Sequence, residues 1–375
     1  MKDQTTGGAI RELPAGELEP SLSPYLERMS RESPAAFIDN APVKMRLLAA
    51  WDTVLPIVVV EPASGLSDVC SPIARFAGYP SSEILKRRRR RTVPGALLAL
   101  RGYAGLMRAC QAERAVYVNN WMLATNPQRV LSANRYRQVT AFLQRRYPAH
   151  AIVYRTINPY LNRDHFDALR DAGGRMVCCR MVYLLDPTQP RFRRSSNVQA
   201  DRRHLRTTPY RVLEVSGAEG IDTERLAHLY RLLYLEKHCR LNAAFNARFF
   251  ALILQTPFFR THVFMRGERI DSFNVTYRDN GCLTSALVGY DTTLPRSLGL
   301  YRLAMMHTML HAENSGTLLN VSGGAGDFKT LRGAFPVREY DAVFDAHLPP
   351  WRRLPWRLAA AEGRLWRPPA APAGA

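Results

Sequence analysis

The chain has 375 residues, enough for two domains with a sizeable core, and its 46% hydrophobic content is ordinary for a globular protein. The longest apolar run, around residues 54–60, is far too short to span a membrane, and the first residues lack the basic-then-apolar order of a secretory leader. Six scattered cysteines share no Cys-x-x-Cys or Cys/His spacing, so neither a disulfide framework nor a metal site is expected, and a reducing cytoplasm is the expected location.

The formal net charge is +20, and only Lys2, Lys44, Lys86, Lys237 and Lys329 among the 52 basic residues are lysine. A GC-rich genome produces this arginine skew without selection; an arginine-rich surface also attracts polyanions by counterion release. Both readings stay open on composition alone.

In chain order, residues 1–34 are rich in Glu, Pro and Ser and read as a partly ordered lead-in. Residues 44–60 predict a hairpin around Trp51, Asp52 and Thr53. Lys86 and the five arginines after it repel one another, which makes a solvated loop or helix edge able to meet RNA, CoA phosphates or an anionic lipid surface. Apolar periodicity predicts helices over residues 95–112 and 130–146, with a buried strand at 115–118 between them. A strand at 151–155, a helix at 164–172 stopped by Gly173 and Gly174, and a strand at 176–185 complete a domain over residues 35–190. The polar, arginine-rich residues 191–208 are taken as a linker.

The second domain, residues 209–347, is more regular. Asp222 can cap a helix reaching Cys239, followed by a short helix at 246–255. Strands at 262–265 and 273–277 flank a turn containing Gly267, and the Asn280 and Gly281 turn leads into a strand at 283–290. A helix over 298–314 then precedes a strand at 317–322, giving a βαβ unit whose helix start can bind an anion. That last strand runs into Gly323, Gly324, Gly326, Asp327 and Lys329, a spacing that fits neither a P-loop nor a dinucleotide fingerprint. His307 and His311 stand at i, i+4 without a matching carboxylate. A strand at 337–345 follows, and residues 348–375 are a basic tail rich in Pro and Ala.

These elements, with Tyr234, Leu235, Glu236 and Lys237, the Asn280 and Gly281 hairpin, the run from Val288 through Asp291, Leu300 and Tyr301, and Gly326 through Lys329 with Gly333, resemble the GNAT acyltransferase superfamily. The likeness is to its Fem-type and BioF-like acetyltransferase branch and covers roughly residues 205–345. It implies an α+β fold of two tandem GNAT-like domains, the N-terminal one diverged. It also implies an N-acyltransferase that moves an acyl group from acyl-CoA to a small-molecule amine acceptor. Some Fem-type relatives use aminoacyl-tRNA to form a peptide bond, and a tRNA partner on the arginine-rich surface is the alternative; a non-catalytic binding protein on the same scaffold is the third reading.

The resemblance assigns Arg296, Gly299, Leu300 and Tyr301 to the donor's pyrophosphate. Of the usual Gln/Arg-x-x-Gly-x-Gly/Ala loop, residues 292–300 keep Arg296 and Gly299. Acyl transfer needs a base for the amine and an acid for the leaving group. Glu236 is the expected base and Tyr290 the acid, with Asp291 either orienting the amine or shaping its turn. Lys329, Asp327, Gly326 and Asn320 are expected on the acceptor side, Lys329 as a cation for a carboxylate or phosphate.

Overall fold

The computed structural model describes residues 10–13, 24–63, 66–86 and 93–365. They form two units: unit 1 takes the described residues of Met1–Ala36, Asn40–Cys178 and Tyr340–Leu365, and unit 2 those of Phe37–Asp39 and Cys179–Glu339.

Unit 1 begins with strand β1 (Arg11–Leu13) and helix α1 (Pro24–Glu32), which buries Tyr25, Leu26 and Met29 within the expected lead-in. The hairpin is β2 (Lys44–Ala50) and β3 (Thr53–Val60), paired from Lys44 with Val59 to Ala50 with Thr53. A π-helical turn (Ala74–Gly78) leads to α2 (Tyr79–Lys86); α3 (Val93–Ala109) follows, and the arginines after Lys86 lie outside the described residues. Then come β4 (Ala115–Val118), α4 (Ala133–Arg146), β5 (Ala151–Ile157), α5 (Arg163–Asp171) and β6 (Arg175–Leu185). β3 and β4 are antiparallel, β4 and β5 are parallel across α4, and one face of this sheet buries Val116, Val118, Ile152 and Tyr154 against Tyr136, Val139 and Leu143 of α4.

Unit 2 repeats that plan. Residues 191–208 are not a linker: α6 (Pro190–Arg193) and α7 (Ser196–Thr207) occupy them, and buried Asp201 holds Arg302 and Arg332 at 2.6 and 2.5 Å. Polar composition misled here because charges of this segment pair within the unit, Asp201 with Arg302 and Arg332 and Arg202 with Glu313. Next come β7 (Arg211–Val215), α8 (Thr223–Arg231), α9 (Ala247–Leu254), β8 (Phe259–Arg266), β9 (Arg269–Asp279) and β10 (Cys282–Tyr290). Helix α10 (Leu300–Asn314) crosses to β11 (Leu318–Asn320), then α11 (Gly326–Thr330) and β12 (Phe335–Phe344). β7, β8, β9 and β10 are successively antiparallel, whereas β10 and β11 are parallel.

Unit 1 takes its closing strand from the far end of the sequence, whereas unit 2 begins within β6. The C-terminal part of β12 lies antiparallel on β5, with Tyr340 opposite Ile157, and the C-terminal part of β6 lies on β11, with Leu185 opposite Leu319. The tail is also more ordered than its composition suggests. Helix α12 (Pro350–Leu365) buries Trp356 in unit 1.

Candidate active site

The site forms where β10 and β11 part. They pair only from Cys282 with Leu318 to Thr284 with Asn320. Beyond that point β10 follows β9 as far as Tyr290 opposite Ser272, while Val321 and Ser322 bond to Tyr183 of β6. A bulge between Ser285 and Leu287 shifts β10 in its register at the same place. Residues 286–290 therefore border an opening in the sheet.

Helix α10 begins at the mouth of this opening. A 3₁₀ turn (Arg296–Leu298) precedes Gly299, which takes φ +60°, a conformation that favours glycine. A side chain there would also meet His204, whose ring reaches the Leu298 carbonyl at 3.0 Å. The first hydrogen bond of α10 is Leu303 N–H to Gly299 C=O, so the preceding N–H groups lack partners within the helix. Asn274 of β9 fixes the helix by donating to the Ala304 carbonyl and Thr308 hydroxyl.

The other wall comes from the end of α8. Helical periodicity predicts a regular helix to Cys239, but a π-helical turn (Leu232–His238) ends it, and Cys239 N–H reaches back five residues to the Tyr234 carbonyl at 2.8 Å. The wider turn brings Glu236 and Lys237 together over Leu232, and all three line a cavity of about 540 Å³. Tyr290, Asp291, Arg296, Gly299, Leu300, Tyr301 and Arg302 line the same cavity. The expected acid, base and donor residues are thus brought together.

Their roles differ. Lys237 Nζ donates to Tyr290 Oη at 2.7 Å, leaving the phenol's own proton to be directed elsewhere. Glu236 is exposed and lies 3.3 Å from Arg231. Asp291 departs from the expectation of a catalytic group. Its Oδ2 accepts from Arg225 at 2.7 Å and its Oδ1 from the Thr293 N–H and hydroxyl. Burial opposes its ionisation, but these donors outweigh it and pull the carboxyl down to about 2. Asp291 therefore holds the turn, with both carboxylate oxygens engaged by these donors. The Tyr234 hydroxyl is hydrogen-bonded to the Val288 backbone, and burial pushes that phenol up to about 12.

The acceptor-side residues stand apart from this cavity. Lys329 is only 2% exposed, and its ammonium donates to the Ser322 and Gly323 carbonyls at 3.1 and 2.7 Å. Burial, helped by Arg180, lowers it to about 7. The expected ligand cation is instead a clamp on the glycine turn. Asn320 Oδ1 accepts from Ser322 N–H at 2.8 Å, Gly326 makes room for the Tyr183 hydroxyl, and Asp327 is exposed in the first turn of α11. Lys237, Arg225 and Arg302 received no role from the sequence. The rarity of lysine was a usable signal for Lys237, whereas the other two depend on pairing that sequence does not display.

In unit 1 the loop between β4 and α4 occupies the corresponding position. Trp121, Met122, Leu123 and Leu131 are buried in it, and Trp121 stacks on Tyr25 with ring centroids 6.0 Å apart.

No protein-family model and no curated protein matches the chain. Among solved structures it is similar to FemX, at 9% identity and TM-score 0.45, covering 60% of this chain and 79% of that one. A C-terminal domain from Agrobacterium fabrum, described as that of a lysylphosphatidylglycerol synthetase, has 16% identity and TM-score 0.44 over 61% of this chain and 78% of that one. A tandem GNAT protein from the clavulanic acid biosynthesis pathway has 8% identity and TM-score 0.39 over 90% and 98%. By its own strand order and pairing, the chain has an α+β fold of two units, each with one parallel strand pair joined across a helix and antiparallel neighbours beside it.

Proposed function

We propose that unit 2 is an N-acyltransferase, taking an acyl group from acyl-CoA and passing it to a small amine. The observation that carries this reading is the one cavity that joins Tyr290, paired to Lys237, with Arg296 and the start of α10 beside parted parallel strands. Arg296, Arg302 and the N-terminal N–H groups of α10 suit the donor's phosphates. The acceptor nitrogen attacks the acyl carbon, forming the C–N bond as the C–S bond breaks. Glu236 takes the amine proton and Tyr290 gives its proton to the leaving sulfur, while the Lys237 ammonium stabilises the phenolate left behind.

Aminoacyl-tRNA is the second donor to consider. It is favoured by Tyr301, which stands where the acyl-CoA loop has a small residue. Purified protein incubated with an acyl-CoA panel and with charged tRNA, each with amine pools, separates the two by mass spectrometry. CoA release with acylated amine is the expected result; RNase-sensitive turnover would replace it with the tRNA reading. Absence of product from either donor across a broad acceptor set would make the scaffold a binding protein.

A further inference from the structure

We infer that unit 1 docks on an anionic lipid bilayer through the outer face of α12 and the neighbouring helices α2 and α3. The inference stands apart from the chemistry proposed for unit 2. Helix α12 is apolar on two sides. Arg352, Pro355, Trp356, Ala359 and Ala360 are buried, while Trp351, Leu354 and Leu358 are 49%, 42% and 46% exposed. The i, i+3, i+7 spacing of the exposed three puts them on one stripe, opposite the buried side.

This stripe is not an isolated feature. Helix α12 packs on α3, where the Tyr103 hydroxyl donates to the Pro355 carbonyl at 2.9 Å. Arg352 fixes the helix by donating to the Ala149 and Gln111 carbonyls at 2.7 and 3.0 Å. Leu98 of α3 is 71% exposed and Leu85 of α2 is 54% exposed. Of the eight large apolar side chains exposed among the described residues, five belong to these three helices. Such a concentration marks an interaction face rather than scattered surface apolarity.

Charge selects the occupant. Arg353 and Arg357 flank the stripe, and α3 adds the exposed Arg101 and Arg108 and carries no acidic residue. A second copy of the chain would bring like charges together across a self-complementary interface. RNA would satisfy the arginines but offers no hydrocarbon for three aliphatic and aromatic side chains in a row. A bilayer surface with anionic headgroups accepts both: the apolar stripe enters the headgroup boundary and the arginines meet phosphate.

The test is sedimentation of the full chain with vesicles of phosphatidylcholine, alone or mixed with phosphatidylglycerol. The chain should pellet with the mixed vesicles and be released as salt rises. Leu354→Glu with Leu358→Glu should weaken binding ~10-fold or more, and Arg353→Gln with Arg357→Gln by about 10-fold. Because these side chains are surface-exposed or half-buried, an unchanged circular dichroism melt should certify the fold. Should the glutamate pair fail to fold, Trp351→Phe serves instead: a vesicle-induced blue shift in emission present in the parent must disappear. No pelleting with either vesicle, equal pelleting of the variants, or a vesicle-independent dimer dissolved by the glutamates would each overturn the proposal.

Discussion

Tyr290 and Lys237 are a pair that neither residue's neighbours in sequence could announce. Fifty-three positions separate them, and the 2.7 Å contact exists because the π-helical turn swings Lys237 over the end of β10. If Tyr290 supplies the leaving-group proton, Tyr290→Phe should lower kcat by ~100-fold with KM little changed. Lys237→Met should follow it in the same direction, while Lys237→Arg restores part of the loss. Steady-state kinetics on the identified donor is the check, and a change confined to KM would assign the pair to binding.

Lys329 changes meaning at the same scale. Its rarity and flanking glycines suggest a ligand cation, yet the ammonium is consumed by two backbone carbonyls. An unfolded lysine titrates near 10.5, but the folded one titrates near 7. Between those values the unfolded chain holds the extra proton, so stability should rise with pH from about 7 towards 10.5. Melting temperatures of the parent and Lys329→Met, compared at both ends of that window, should show the rise in the parent and a flatter profile in the variant. Identical profiles would remove Lys329 from the account.

Elements carry a second pH response, of different origin. His262 on β8 faces His307 and His311 on α10, with ring centroids 4.5 and 6.2 Å away, and Glu214 of β7 lies 3.6 Å from His262. Burial lowers His307 to about 4, and the other two histidines add to the shift; burial lowers His262 as well, against the pull of Glu214. Both rings are kept neutral in the fold but take protons readily when unfolded. Their contribution is therefore complete above pH 6.5 and lost as the pH falls towards 4. Melting at pH 7 and pH 5 should show the loss, and His307→Gln should reduce the difference. The i, i+4 pair that resembles a ligand set is part of the packing of α10 on the sheet that positions the cavity mouth.

The elements themselves were largely legible. The β2–β3 hairpin, β4, α4, and the succession β10, α10, β11 follow their apolar periods closely, because burial on one face imposes those periods. α6, α7 and α12 were not, since arginines dominate them and their partners are distant. Asp201 draws Arg302 and Arg332 from positions more than a hundred residues away. The end of α8 was misread for another reason: a π turn leaves no mark in an apolar pattern that continues through it.

For the whole molecule, the consequence is that sequence order and structural unit do not coincide. Unit 1 depends on Tyr340–Leu365, which supplies both the closing strand on β5 and the helix that buries Trp356. Trp356→Ala should cost about 3–5 kcal/mol in chemical denaturation, a loss that a dispensable basic tail would not produce.

The sequence by itself determined the α+β class, the repeated strand and helix order, and the stretch from Glu236 to Tyr301 whose ends meet at the cavity. Those features are written in local apolar periods, turn residues and chain order. Tertiary structure alone decided which polar groups are available to a ligand. Asp291 and Lys329 are engaged by donors and acceptors brought to them by folding, whereas Lys237 is delivered to Tyr290 by a helix turn of unusual width. A side chain's availability depends on what packs against it, and that is a property of the folded chain rather than of the residue.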